Sequence, residues 1–400
     1  MSVLRRLPMR LFAWLASGLS LVLALGAAAA PSSPHALATR LPGFLTGVSA
    51  RSPSAAWAVG SFFPAQFTQK TLILRWNGTS WARVASANRG GSGDFNLLSG
   101  VSALSPSNAW AVGNTFFGAP DVQKTLIQRW NGNAWSLVPS ANPGPRGSQF
   151  DALNGVGALS PNNIWAVGTS TTGTLIVHWN GTRWAKVPSP SPATPGDDEL
   201  LAVSATSPRD AWAVGQYLSF SGAWKTLVLH WNGIKWTRVA SPNPGGSMQG
   251  RFGDTGTFLF GVSALSPSSV WAAGYYLTSD SMPQKTLILR WNGSRWLKVA
   301  SPNPGNTKDS SLTGVSVLSP SNAWAVGRYL TKSEVSKTLV LHWNGTRWAV
   351  VASRSPAGGA ALNAVSALSP RAAWAVGSFS GGGIQRTLIL HWNGTSWTRS

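Results

Sequence analysis

Twenty-one of the 23 tryptophans fall into three series that advance together along the chain. The Trp of a W-A-V/A-G motif stands at Trp57, Trp110, Trp165, Trp212, Trp271, Trp324 and Trp374. A W-N-G motif follows at Trp76, Trp130, Trp179, Trp231, Trp291, Trp343 and Trp392, and a closing Trp at Trp81, Trp135, Trp184, Trp236, Trp296, Trp348 and Trp397. One unit, L-x-G-V-S-A-L-S-P-x-x-x-W-A-V-G followed by K-T-L-I-L-x-W-N-G-x-x-W, is thus written seven times, starting near residues 45, 98, 153, 200, 259, 312 and 362. A unit this short cannot bury its own hydrophobic surface, so neighbouring units must stack. LILRWNGTSW at 72–81 and LILHWNGTSW at 388–397 differ at a single position.

Each copy divides into four strand-like pieces, in the first LTGVSARS, AAWAVGSFF, KTLILRWNG and SWARVAS. They are rich in Val, Ile, Leu, Thr and Trp and are bounded by Ser-Pro, Asn-Gly or Gly/Pro clusters. The Asn-Gly step predicts a type I′ hairpin with positive φ at both turn residues. Four antiparallel strands per unit and seven units predict an all-β fold, a seven-bladed β-propeller over residues 39–400. The ring closes either by packing blade seven on blade one or with residues 39–44 as an extra edge strand.

The order GVSALSPSNAWAVG, TLIL, WNGTSW resembles bacterial extracellular propellers of the BNR/Asp-box and photosystem-II-assembly-factor type, and more broadly kelch repeats. The resemblance covers about residues 45–400 and implies the fold. Asn stands where the Asp-box has Asp (Asn77, Asn131, Asn180, Asn232, Asn292, Asn344, Asn393), and that box is structural, so the resemblance implies no catalytic residue.

Residues 1–38 have a different character. Arg5, Arg6 and Arg10 precede the uncharged run LFAWLASGLSLVLALGAAAA, and A-x-A sites lie at Ala28–Ala30 and Ala36–Ala38. This reads as a secretory signal peptide with a small-residue linker; an uncleaved anchor is the alternative, since 20 apolar residues just span a bilayer. The expected location is therefore secreted or associated with the cell envelope, and the expected state a monomer. The chain has no cysteine, which excludes disulfides and thiol chemistry. Its net charge of +21 fits an anionic envelope surface, but no dense Lys/Arg run points to specific nucleic-acid binding.

The repeated Trp series reads as core, whereas Trp224 stands outside it in a loop. His178, His230, His342 and His391 occupy one strand position, where other copies carry Arg75, Arg129 and Arg290. Equivalent positions in different blades do not converge, so no metal site is expected. The S-P-x-x-x and N-G connections are constant and share one face; the other connections vary in length and share the opposite face. Ten of the eleven acids belong to the variable connections, among them Asp94, Asp121, Asp151, Asp197, Asp198, Glu199, Asp254, Asp280 and Asp309; Asp210 alone lies on the constant face. Variable loops on a rigid scaffold are where binding concentrates. The candidate ligand-binding residues are Trp224, Tyr217, Tyr276, Tyr329, Asp94, Asp197 and Asp198, for a glycan or an extracellular protein. A polysaccharide-cleaving enzyme is the rival, with Asp151 and Glu199 as catalytic candidates, since glycosidases use two carboxylates about 5–9.5 Å apart. A pure assembly scaffold is the third reading. No cofactor or calcium motif is present.

Overall fold

The computed structural model describes residues 41–65, 68–91, 94–117, 122–144, 150–193, 197–245, 255–279, 283–305 and 308–400. The expected signal segment and the acids Asp121, Asp254 and Asp280 lie outside them. Twenty-eight strands form seven four-stranded antiparallel blades: 43–84, 95–137, 152–186, 198–238, 256–299, 310–350 and 360–399. The fold is a seven-bladed β-propeller, with each blade drawn from one copy of the repeat.

The first strands form the inner wall, each packed on the first strands of both neighbours, including the seventh on the first. The G-V-S of the repeat explains the close approach. A side chain on Gly47 would meet the backbone of Gly100 in the next blade at 3.2 Å. The serine after it then joins the strands: Ser49, Ser102, Ser204, Ser263, Ser316 and Ser366 each accept an N–H from the next blade's first strand at 3.0–3.1 Å. Gly157 holds this place at the junction of blades three and four, where its missing side chain would meet the Val203 carbonyl at 2.9 Å.

Third strands read as unbroken apolar runs because neighbouring blades cover both of their faces. Leu72, Ile73 and Leu74 are all fully buried. Seven apolar clusters result, one at each junction. At each, the W-A-V/A-G Trp of one blade meets two Trp of the next: Trp57 lies 5.0 Å from Trp130 and 5.1 Å, edge-on, from Trp135. Trp374 makes the same contacts with Trp76 and Trp81 at 4.8 and 5.0 Å, which seals blade seven to blade one. The two nearly identical decapeptides therefore sit side by side.

The ring closes by packing blade seven on blade one; in place of the expected extra edge strand over 39–44, Gly43 and Phe44 belong to the first strand of blade one and residues 41–42 meet blade seven. In six blades the chain leaving the fourth strand folds back on the third, where an Asn or Ser side chain accepts the N–H of a Thr. In blade seven the corresponding Thr387 N–H donates instead to the Leu41 carbonyl at 3.1 Å, and Pro42 bridges Arg386. The N-terminal residues of the ring thus occupy the place that an inter-blade linker fills elsewhere.

Candidate functional site at the mouth of the ring

The constant face is scaffold throughout. Each W-N-G indole N–H donates to the proline carbonyl of the S-P turn, at 2.8–3.1 Å. The Asn-Gly turn differs from the expected type I′. Trp76 pairs directly with Trp81 across a four-residue loop, and only the glycine has positive φ (Gly78, 102°). Asn77 acts through its side chain, whose Oδ1 accepts the N–H groups of Thr79 and Ser80 at 2.9 Å. An Asx turn therefore replaces the left-handed backbone.

The histidines stay within their own blades. His178 Nε2 pairs with Asn163 Oδ1 at 2.9 Å, His342 with Asn322 at 3.3 Å and His230 with Asp210 at 2.7 Å. Each lies against the W-A-V/A-G Trp, as His230 does on Trp212 at 4.2 Å. Arg75, Arg129 and Arg290 cover the same ring in their blades. The position serves to cap a tryptophan. Burial lowers the pKa of His178, His342 and His391, and no group of three or more His, Asp or Glu converges among the described residues.

On the variable face four of the described acids grip backbone. Asp151 Oδ2 accepts the Gly144 N–H at 3.2 Å and Asp198 Oδ1 that of Ala193 at 3.0 Å. Asn96, Thr257 and Ser310 do the same for their own linkers from the same strand position. Asp94 accepts from Gly91 at 2.6 Å and Asp309 from Gln284 at 2.8 Å. Burial raises the Asp151 pKa and pushes Asp198 up to about 6. Asp197 is half-buried beside Asp198. Tyr217 is buried, its hydroxyl accepting from Arg238 Nη2 at 2.6 Å, and Tyr276 accepts from Lys298 Nζ at 3.1 Å. Tyr329 packs on the core between blades five and six.

Blades four and five depart from the pattern at one place. In the other five blades the bulged residue of the first strand is Thr46, Ser99, Asn154, Thr313 or Asn363, four of which donate to the next blade's Leu carbonyl. Here it is Leu201 and Phe260. Two residues before Leu201 stands Glu199, at a position held elsewhere by Phe44, Leu97, Ala152, Phe258, Ser311 and Ala361. Its Oε1 accepts from Asn154 Nδ2 at 3.3 Å and its Oε2 from Gln216 Nε2 at 3.0 Å. Two neutral amides do not offset the loss of water, and burial pushes the carboxyl up to about 7.

A series of rings joins blade five to the third strand of blade four. Phe260 stacks on Tyr275 at 5.5 Å, Tyr275 on Phe258 at 4.9 Å, and Phe258 lies 6.1 Å from Trp224. Trp224 opens the third strand of blade four, half-buried against Gly256 of blade five. Four residues earlier Phe220 is 94 % exposed, on a turn pinned by Ser219, whose N–H and hydroxyl both donate to the Ala223 carbonyl. Of the sequence candidates, the structure brings Trp224 and Glu199 into this sector and gives Asp151 and Asp198 to linkers. Phe220, Gln216, Asn154, Phe258 and Phe260 were not among them. The available signal was a break in the repeat, at Glu199, Leu201 and Phe260.

No family model matches the chain, and no curated protein matches it. Solved structures match at the level of fold. A GH74 xyloglucanase from Xanthomonas campestris is 15% identical with a TM-score of 0.55, covering 90% of this chain and 54% of its own. The chain thus spans about half the length of that enzyme. A fucose-specific lectin from Aleuria aurantia is 13% identical with a TM-score of 0.42, covering 91% and 95%, and a Trypanosoma rangeli sialidase mutant is 9% identical with a TM-score of 0.47, covering 89% and 55%.

Proposed function

We propose that this chain is an exported or envelope-associated, non-catalytic propeller that binds a glycan through the blade four–five sector of its variable face. The observation that carries the reading is the aromatic series from Trp224 to Phe260 across blades four and five, together with the carboxyl and amides of Glu199, Gln216 and Asn154 on blades four and three. Sugar rings have apolar faces that stack on aromatics and edge hydroxyls that pair with carboxylate and amide groups. Exposed Phe220 and half-buried Trp224 supply the platform, and Glu199 with Gln216 the polar groups. A protein partner would use the same aromatic surface.

The test is a glycan array probed with the purified protein. Binding is expected, and Trp224→Ala or Phe220→Ala should weaken it about tenfold or more. Absence of binding to every glycan defeats the reading and leaves an assembly scaffold. One observation favours a polysaccharide-cleaving enzyme instead: a carboxyl with a pKa near 7, as in Glu199, suits a general acid. That reading requires cleavage of a bound glycan that Glu199→Gln abolishes.

A further inference from the structure

On four blades an aromatic residue late in the second strand lies under a cation from the fourth strand. The Arg83 guanidinium carbon stands 3.9 Å from the Phe62 centroid, and that of Arg238 4.6 Å from Tyr217. Lys298 Nζ stands 4.4 Å from Tyr276, and the Arg399 guanidinium carbon 4.4 Å from Phe379. The remaining fourth strands carry Leu137, Lys186 and Val350 at that place, opposite Thr115, Ser170 and Tyr329, so none of them forms the pair.

Two of these pairs flank the aromatic series. Tyr217 follows Gln216, and Tyr276 follows Tyr275. Arg238 and Lys298 are exposed, and the tyrosine hydroxyls hold their side chains in place. Lys225 pairs in register with Tyr217, and Lys285 with Tyr276, which adds two cations to the same blade edges. Of the neighbouring acids, Asp198 lies near enough to Arg238 for the cation to favour its ionised form, against the larger effect of burial, which pushes it up to about 6. Asp198 is buried and bonded to the Ala193 N–H, Glu199 is held by two amides, and Asp197 is half-buried. Among the described residues the ion pairs within 4.0 Å are His230–Asp210 and Lys308–Glu334, neither involving Arg238 or Lys298.

We infer that the glycan bound in this sector is acidic, its carboxylate, sulfate or phosphate groups received by Arg238 and Lys298 while its rings stack on the Phe220–Trp224 platform. The inference rests on the glycan reading. Fixing each cation over an aromatic ring reduces the entropy lost when an anion binds, and the arginine fork still presents N–H donors for a planar oxyanion. A linear polymer crossing two adjacent blades meets both cations, so their contributions multiply.

The experiment compares neutral polysaccharides with uronate-bearing, sulfated and phosphorylated ones, at low and moderate salt, for the purified protein and its Arg238→Gln, Lys298→Met and Trp224→Ala variants. Circular dichroism and melting temperature confirm that each variant is folded. Acidic glycans should bind at least about tenfold more tightly than neutral ones. Arg238→Gln and Lys298→Met should each remove most of that preference while leaving neutral binding unchanged, and Trp224→Ala should weaken both. Equal affinity for acidic and neutral glycans, insensitive to salt, overturns the acidic assignment and leaves the glycan reading intact. No binding to any glycan defeats the glycan reading itself. Single-stranded DNA or polyphosphate binding as tightly as the best acidic glycan, with unchanged affinity in Trp224→Ala, shows attraction by charge alone and also overturns the inference.

Discussion

Glu199 shows how one residue acquires its properties from chain segments far from it. Its bonds come from Asn154 in blade three and Gln216 in its own blade, and no cation bonds to it. A carboxyl raised from 4.5 to about 7 binds a proton in the folded state that the unfolded chain has already released. Its contribution to stability is therefore intact below about pH 4.5 and is lost as pH rises through 7. Glu199→Gln should gain on the parent protein between pH 5 and pH 8 by about 1–3 kcal/mol, with denaturant unfolding at the two pH values as the measurement. An unchanged difference between variant and parent across that range would refute the assignment. The sequence marked Glu199 only as an acid near a first strand; Gln216, 17 residues away, reaches it through strand pairing within the blade, and Asn154, 45 residues away, through blade stacking.

At the level of elements, the outer edge of six blades is held by a latch that repetition makes easy to compare. The buried hydroxyls of Thr71, Thr125, Thr174, Thr226, Thr286 and Thr338 each bond a serine hydroxyl fifteen residues on, at 2.5–2.8 Å. Thr387 is equally buried, and its hydroxyl has no partner. An unmade buried bond costs about 1–3 kcal/mol, whereas losing both partners is nearly neutral. Thr387→Val should therefore leave the melting temperature unchanged or raise it. Thr226→Val, which orphans Ser241, should destabilise by about 1 kcal/mol. Equal losses in the two variants would show that the latch has no role. Strand placement and the division into two faces were legible in the periodicity, because Trp, Ser-Pro and Asn-Gly recur at constant offsets. The conformation of the Asn-Gly turn was not, because a dipeptide does not reveal whether asparagine works through its backbone or its side chain.

For the molecule as a whole, the ring is only as strong as its closing junction. Blade seven joins blade one through Trp374 against Trp76 and Trp81, the Ser366–Ala50 bond and the Leu41–Thr387 bond. Deleting residues 1–42 should lower the melting temperature by a few degrees relative to deleting 1–40, because it exposes the Thr387 N–H. If the two truncations melt together, residues 41 and 42 play no part in closure. The seven copies, read without coordinates, determined the blade count, the strands and the Trp series that seal them, because periodic burial leaves a periodic record. Only the tertiary structure decided that the ring shuts with residues 41–42 in a linker's place, that Asp151 and Asp198 serve linkers, and that Glu199 meets the Asn154 amide of the preceding blade. Those outcomes rest on contacts between copies at the very positions where the copies differ, and a repeat predicts only what its copies share.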